Sequence, residues 1–243
     1  NMTESGDHFD PDEEMSEREQ YSGALGGPIL RDKLWFFTSL QYIHSISDES
    51  TWYFPYDWEG WQFLGKATWQ VSDGNRLVGK FSTDPAEIPG VNAGINWTET
   101  SKGTQEQGGD IWQFELNSVL SASWLLNAQL GTSNGFIKVY STDQPDTISG
   151  HYNEQTLLWY NAYPYNVNDE RPRDEARVNA SWFVDELLGS HEFKGGLEYT
   201  EMAFESGTYN NGAATFYDNS GNAGATRAPI ALNGDGYSNN YLH

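Results

Sequence analysis

Apolar and polar residues alternate one by one along much of the chain. Within residues 61–71, Trp61, Phe63, Ala67, Trp69 and Val71 share one parity, and Gln62, Lys66, Thr68 and Gln70 the other. Successive side chains of a strand point to opposite faces, so this pattern predicts a strand with one apolar face. Ser72-Asp73-Gly74-Asn75 follows. Gly and Asn tolerate positive φ, which suits a hairpin turn. The chain returns through 76–83, with Leu77 and Phe81 opposed to Arg76 and Lys80. Residues 110–118 set Trp112, Phe114 and Leu116 against Gln113, Glu115 and Asn117. Residues 124–133 oppose Trp124, Leu126, Ala128 and Leu130 to Asn127 and Gln129, and 176–184 oppose Ala176, Val178, Ala180, Trp182 and Val184 to Arg177, Asn179 and Ser181. In 191–204, Phe193, Leu197, Tyr199 and Phe204 are grouped on one face by an odd-even slip near Glu201. With two less regular segments, 21–29 and 34–47, the reading gives about eight strands.

The connections are informative. Short ones (30–33, 72–75, 120–123 and 185–190) alternate with long polar ones (48–60, 84–109, 135–173 and 205 onward). Outer-membrane barrels have this arrangement, with short periplasmic turns and long extracellular loops. Composition fits the same picture. Only 37% of the residues are hydrophobic, yet 15% are aromatic, including ten Trp. A barrel strand needs an apolar residue only at every second position, and Trp and Tyr collect at the two membrane interfaces. The predicted fold class is therefore all-β: a transmembrane, antiparallel, up-and-down β-barrel in the bacterial outer membrane. The competing reading is an acidic soluble β-sandwich whose apolar face packs on a second sheet and whose loops bind carbohydrate or calcium. A net charge of -22 argues against nucleic-acid partners, and the absence of Cys excludes disulfides and thiolate metal sites. No segment reads as a signal peptide.

Residues 20–42 contain Gly26-Gly27-Pro28-Ile29, then Arg31-Asp32-Lys33, then Leu34-Trp35-Phe36-Phe37. This run resembles a motif of TonB-dependent outer-membrane receptors of the Oar-like type, the family with a carboxypeptidase-regulatory-like domain associated with its plug. Residues 71–82, VSDGNRLVGKFS, look like that family's next periplasmic turn and returning strand. On this resemblance Gly26, Gly27, Pro28, Asp32 and Lys33 are the family residues. They form a hairpin at the periplasmic rim, and Trp35, Phe36 and Phe37 open the membrane-embedded portion with its aromatic girdle. The resemblance implies a plugged barrel of about 22 strands. Its function would be uptake of a bulky nutrient (a peptide, oligosaccharide or metal chelate), energised by the TonB complex through the plug. Its partners would be outer-membrane lipid, that complex, an unidentified nutrient and surface proteins. A structural barrel that anchors surface partners shares the fold without the transport. Neither a plug nor a TonB box is read in the sequence. The chain is accordingly expected to be one part of the barrel domain: an acidic extracellular loop at 1–20, strands and loops at 21–204, and an extracellular loop at 205–243. A closed barrel of about eight strands also fits the length.

Candidate chemistry is sparse, and no enzyme activity is expected. Gly131-Thr132-Ser133-Asn134-Gly135 matches G-x-S-x-G, but an extended segment follows where a nucleophile elbow needs a helix. His191-Glu192 begins H-E-x-x-H, but Gly195 replaces the second His. Calcium is the cation with a sequence argument, because Asp218, Asn219, Asn222 and Asp235 lie in oxygen-rich glycine loops and Asp7, Asp10, Asp12, Glu13 and Glu14 crowd the N-terminal segment. Turn chemistry explains the same residues. The sequons at Asn1, Asn96 and Asn179 carry little meaning in a bacterial barrel. The aromatic stretches 51–61 and 157–167 suit stacking on a sugar or peptide, or on one another. Lys66, Lys80, Glu115 and Lys194 are expected to face the lumen.

Overall fold

The computed structural model describes residues 16–47, 56–91, 94–185, 189–212, 214–218 and 237–242. Long strands dominate it: β1 (Ser16–Leu30), β2 (Leu34–Ser47), β3 (Tyr56–Ser72), β4 (Asn75–Thr83), β6 (Gly103–Ser121), β7 (Trp124–Ser141), β10 (Tyr165–Val184) and β11 (His191–Asn210). They pair antiparallel in the order β1-β2-β3-β4-β6-β7-β10-β11, and β13 (Tyr237–Leu242) adds to β11. The short β5 (Ala86–Val91) lies off this path and bridges β3 and β6. A separate sheet joins β8 (His151–Asn153), β9 (Leu158–Tyr160) and β12 (Phe216–Asp218).

The registers sort the side chains into two faces. One unbroken row runs Leu34–Trp69–Leu77–Leu116–Ala128–Val178–Leu197 across β2 to β11. One residue along, Gln70–Arg76–Asn117–Asn127–Asn179–Gly196 forms a row on the opposite face. The apolar face is bare. Leu25 is 64% exposed, Phe114 56%, Leu130 60% and Leu197 82%. Among the described residues no second sheet packs on it, which excludes the sandwich arrangement. Aromatic residues stack near both ends of the belt. Tyr21, Tyr42 and Trp61 form one row with centroids 6.3 and 4.8 Å apart. Trp124, Trp182 and Phe193 form another near the turns, at 5.5 and 5.6 Å. From Leu34 to Tyr42 the belt covers roughly 27 Å of strand at about 3.4 Å per residue. A barrel tilt of about 40° brings that to roughly 20 Å, close to the height of a membrane band.

Several boundaries differ from the sequence reading, for one physical reason. Residues 16–20 belong to β1, β6 begins at Gly103, β7 runs to Ser141, β10 begins at Tyr165 and β11 runs to Asn210, and Tyr237–Leu242 forms β13. Sequence reading gave all of these extensions to loops. Those of β1, β6, β7, β10 and β11 lie beyond the belt, where neither face meets hydrocarbon, so the alternation of apolar residues stops although the ladder continues. The face assignments of Phe204 and Val71 are also corrected. The β10–β11 register is continuous, with no slip at Glu201, so Phe204 stands on the polar face with Arg171 above its ring at 5.6 Å. Of the aromatic run, only Phe36 lies on the apolar face. Trp35 pairs with Thr68 and Phe37 with Lys66 on the other. Val71 falls in a bulge between Gln70 and Ser72.

Most of the buried core lies at the loop end. Ile88, Val91, Val139 and Tyr163 form its centre, with Tyr56, Trp58, Trp97, Ile137, Tyr165 and Val167 packed around them. Ile137 and Val139 continue the parity of Gln129 and Ser133, so the loop lobe sits on the polar side of the sheet. A short 3-10 turn (Glu99–Ser101) joins the lobe to β9. The fully buried Ser101 Oγ accepts from the Thr98 N–H at 3.0 Å and lies 3.0 Å from the Trp159 carbonyl oxygen. Gly108 lets the strand meet the loop closely. It has φ +149°, and a Cβ there would stand 2.8 Å from the Asp84 carbonyl oxygen. Gly108→Ala is expected to cost roughly 1–3 kcal/mol, the range for a side chain forced into a sparsely populated backbone region. Hydrogen exchange at Asp84 and Gly109, which bond each other, measures it.

Candidate functional site

The polar face collects cations in a chain whose net charge is -22. From the turns up to the level of Arg171 it carries Lys66, Arg76, Lys80, Arg171, Arg173, Arg177 and Lys194, against Glu115, Glu175, Glu192 and Glu198. Lys66, Lys80, Glu115 and Lys194, the residues expected to face the lumen, all stand on this face. Lys66 and Lys80 are directly opposed across β3 and β4, and Gln113, Gly131 and Glu175 continue their row. In the neighbouring row Glu115, Gln129, Arg177 and Glu198 are adjacent. A depression over Gly131 is lined by Lys80, Glu115, Gln129, Glu175, Arg177 and Glu198.

The carboxylates here are all engaged. Arg177 donates to Glu198 Oε1 at 2.7 Å, Lys194 Nζ lies 3.1 Å from Glu192 Oε1, and Arg173 pairs with Glu175. Glu115 Oε1 accepts from the amides of Asn117 at 2.6 Å and Asn127 at 3.3 Å. Among the described residues Lys66 and Lys80 have no ion-pair partner. Such an arrangement can hold and orient charged groups. Arg173 was missed in sequence because residues 135–173 were taken as a loop, and the Arg177–Glu198 pair because it depends on the β10–β11 register, although Arg177 was read onto the polar side of its strand. The signal was the period-two spacing of Arg171, Arg173, Glu175 and Arg177.

The residues of the family resemblance build the first turn. Asp32 has φ 60°, a left-handed conformation that Asp tolerates better than most residues. The Lys33 N–H donates to the Leu30 carbonyl at 3.1 Å, and the Lys33 carbonyl accepts from the Gln70 N–H at 2.7 Å. A Cβ at Gly26 would lie 3.2 Å from the Phe37 ring. Gly27 follows, and Pro28 stands at a bulge near the end of β1, where a missing donor is tolerated.

At the loop end, His151 Nδ1 lies 2.8 Å from Asp218 Oδ2, and the Tyr160 hydroxyl donates to the same oxygen. Burial opposes ionisation of Asp218. The hydrogen bonds from Tyr160 and His151, with the His151 charge, outweigh it and hold the carboxyl below its ordinary value. The Tyr160 hydroxyl is pushed up to about 12 by its bond to Asp218, then by burial and the Asp218 charge. Asp218 stabilises the β8–β9–β12 sheet at neutral pH, and that contribution is lost as pH falls below 3.8 through its depressed value. The Tyr160 contribution is complete below pH 10.0 and lost as pH rises through about 12. Fluorescence of the neighbouring Trp97 and Trp159 should change in both windows, and Asp218→Asn should abolish the acid change and move the alkaline one to lower pH.

These hydrogen bonds already engage Asp218, the described member of the candidate calcium set. Asn219, Asn222, Asp235 and the acidic residues 7–14 lie outside the described residues. Among the described residues no three metal-ligating side chains cluster. Gly131–Gly135 lies inside β7, and His191 opens β11. The aromatic stretch 157–167 packs on its own lobe: Trp97 stacks on Trp159 at 5.2 Å and on Tyr163 at 5.5 Å. Residues 51–55 of the other stretch lie outside the described residues.

An antiparallel up-and-down sheet with a bare apolar belt, aromatic rows at its two ends and a charged opposite face has the fold of an outer-membrane β-barrel wall. The chain is similar in fold to the outer membrane transporter YddB from Escherichia coli, with a TM-score of 0.72 and 12% sequence identity over 93% of this chain. It spans 30% of the length of that transporter chain. Neither a protein-family model nor a curated protein matches the sequence.

Proposed function

We propose that this chain is part of the wall of an outer-membrane transporter that takes up a bulky solute, with no covalent chemistry of its own. The observation that supports this most strongly is the exposed apolar belt backed by a charged face. A soluble protein rarely leaves so large an apolar surface uncovered, whereas a barrel sets that surface in lipid and its polar face around a lumen. The likeness to a transporter fold supports the same reading. The Oar-like motif at Gly26–Gly27–Pro28 and Asp32–Lys33 adds the finer part: energy from the TonB complex, delivered through a plug, and a peptide, oligosaccharide or metal chelate as cargo.

The test compares bacteria that carry the intact protein with a deletion strain. The intact protein should fractionate with outer membranes and migrate differently on gels before and after boiling. Spent medium should lose a solute only when the protein is present, and collapse of the proton-motive force should stop that loss. A protein in the outer membrane whose deletion changes no solute would leave the anchoring barrel as the better reading.

A further inference from the structure

We propose that the Lys66–Lys80 pair is a subsite for an anionic group, a carboxylate or phosphate, of a solute in the barrel lumen. The inference rests on the transport reading above and names the chemical class of its cargo. Charge complementarity supports it. The whole chain has a net charge of -22, yet its polar face between the turns and Arg171 has more cations than anions. Each carboxylate there is taken up: Glu198 by Arg177, Glu175 by Arg173, Glu192 by Lys194, Glu115 by two asparagine amides, and Asp84, just after β4, by the Gly109 N–H. None is left to neutralise β3 and β4. Like charges directly opposite each other destabilise a sheet. Here that cost falls at the register Lys66↔Lys80, with Phe37 on one side and Gln113 on the other, and no described carboxylate within ion-pair distance.

The surroundings suit a charged, hydrogen-bonding group. The next row brings Ser39, Leu64, Ser82, Ile111, Ser133 and Arg173 together. It places the Ser39 and Ser82 hydroxyls on the loop side of the lysines, with Arg173, already paired with Glu175, further along the row on β10. A wall of one sign beside low-dielectric protein raises the local concentration of the opposite ion by about ten-fold or more.

The absence of cysteine from this chain makes the test direct. Ser82→Cys is introduced into the intact protein, freed of any other thiol and purified from outer membranes. Its labelling rates with an anionic sulfonate thiol reagent and a cationic trimethylammonium one are compared. The anion-to-cation rate ratio should exceed that of a free thiol by about ten-fold or more. It should fall to near the free-thiol ratio when Lys66→Gln and Lys80→Gln are added. Citrate should slow labelling only while both lysines are present. Lys138→Gln, beyond the belt, should leave the ratio unchanged, and heat-modifiable mobility should show that each variant is folded. A ratio indifferent to the double substitution, or to citrate, overturns the proposal. So does a Ser82→Cys thiol closed to both reagents, which would mean that a protein segment covers the lysines. Failure of the transport reading looks different: with the anchoring barrel the charge-selective labelling of Ser82→Cys would persist while deletion of the protein changed no solute in the medium, and with a soluble protein Leu130→Cys, on the apolar face, would react readily with both water-soluble reagents.

Discussion

Leu130→Arg should destabilise the barrel by about 2–4 kcal/mol, the cost of placing a cation on the lipid face near the bilayer midplane. Leu130 stands in mid-belt, between Phe114 of β6 and Ala176 of β10, and is 60% exposed. In water that exposure would make the substitution nearly harmless. In lipid the guanidinium has neither solvent nor counter-ion. The neighbouring change Gln129→Arg puts the same side chain on the polar face, beside Glu115, and should cost far less. Unfolding in urea from detergent micelles or thin bilayers gives both values. Equal costs for the two would remove the assignment of the faces, and a negligible cost for Leu130→Arg would argue for a water-exposed belt.

Tyr163→Ala should cost the loop lobe roughly 3–5 kcal/mol, the usual penalty for emptying a buried aromatic site. Tyr163 is 1% exposed. Its ring stacks on Trp97 at 5.5 Å, meets Tyr165 edge-on at 5.4 Å and covers Gly103 so closely that a Cβ there would come within 2.8 Å. Hydrogen exchange and limited proteolysis should show residues 84–102 and 142–164 opening while the strands of the belt keep their protection. Gly103→Val should give a similar local loss by pushing the ring out. If instead the whole protein lost its heat-modifiable fold, the lobe and the belt would be one cooperative unit.

The belt was legible in the sequence because lipid imposes a strict rule on it. Trp112, Phe114 and Leu116 had to share a parity, and Gln113, Glu115 and Asn117 the other, so strands there announced themselves. The turns at Asp32 and Asp73-Gly74 were equally plain, since tight reversal limits the residue choice at both and Asp32 has a positive φ as well, whereas Gly74 and Asn75 do not use the positive φ that they would tolerate. Beyond the belt the rule lapses. Strand residues such as Glu17, Arg18, Glu106 and Glu170 face water on either side, so nothing in their order separates ladder from loop. The odd-even slip inferred at Glu201 came from expecting Phe204 to be apolar-facing like Leu197. The continuous register instead gives that ring to Arg171, a contact that parity alone does not suggest. The loop lobe was least legible. Its core joins Ile88 and Val91 to Val139 and Tyr163 across large separations in sequence, and no local pattern specifies that meeting. The lysine pair was visible as two polar residues of alternating strands. That they stand opposite each other depended on the β3–β4 register.

The most direct test of the account is a spin-label scan of β7 from Asn127 to Ser133 in the intact protein in bilayers. Collisions with oxygen, which concentrates in lipid, should peak at Ala128, Leu130 and Thr132. Collisions with a water-soluble nickel chelate should peak at Asn127, Gln129, Gly131 and Ser133, out of phase with oxygen. Two profiles in phase, or low oxygen accessibility at Leu130, would contradict a sheet that stands in the membrane with its polar face to a lumen.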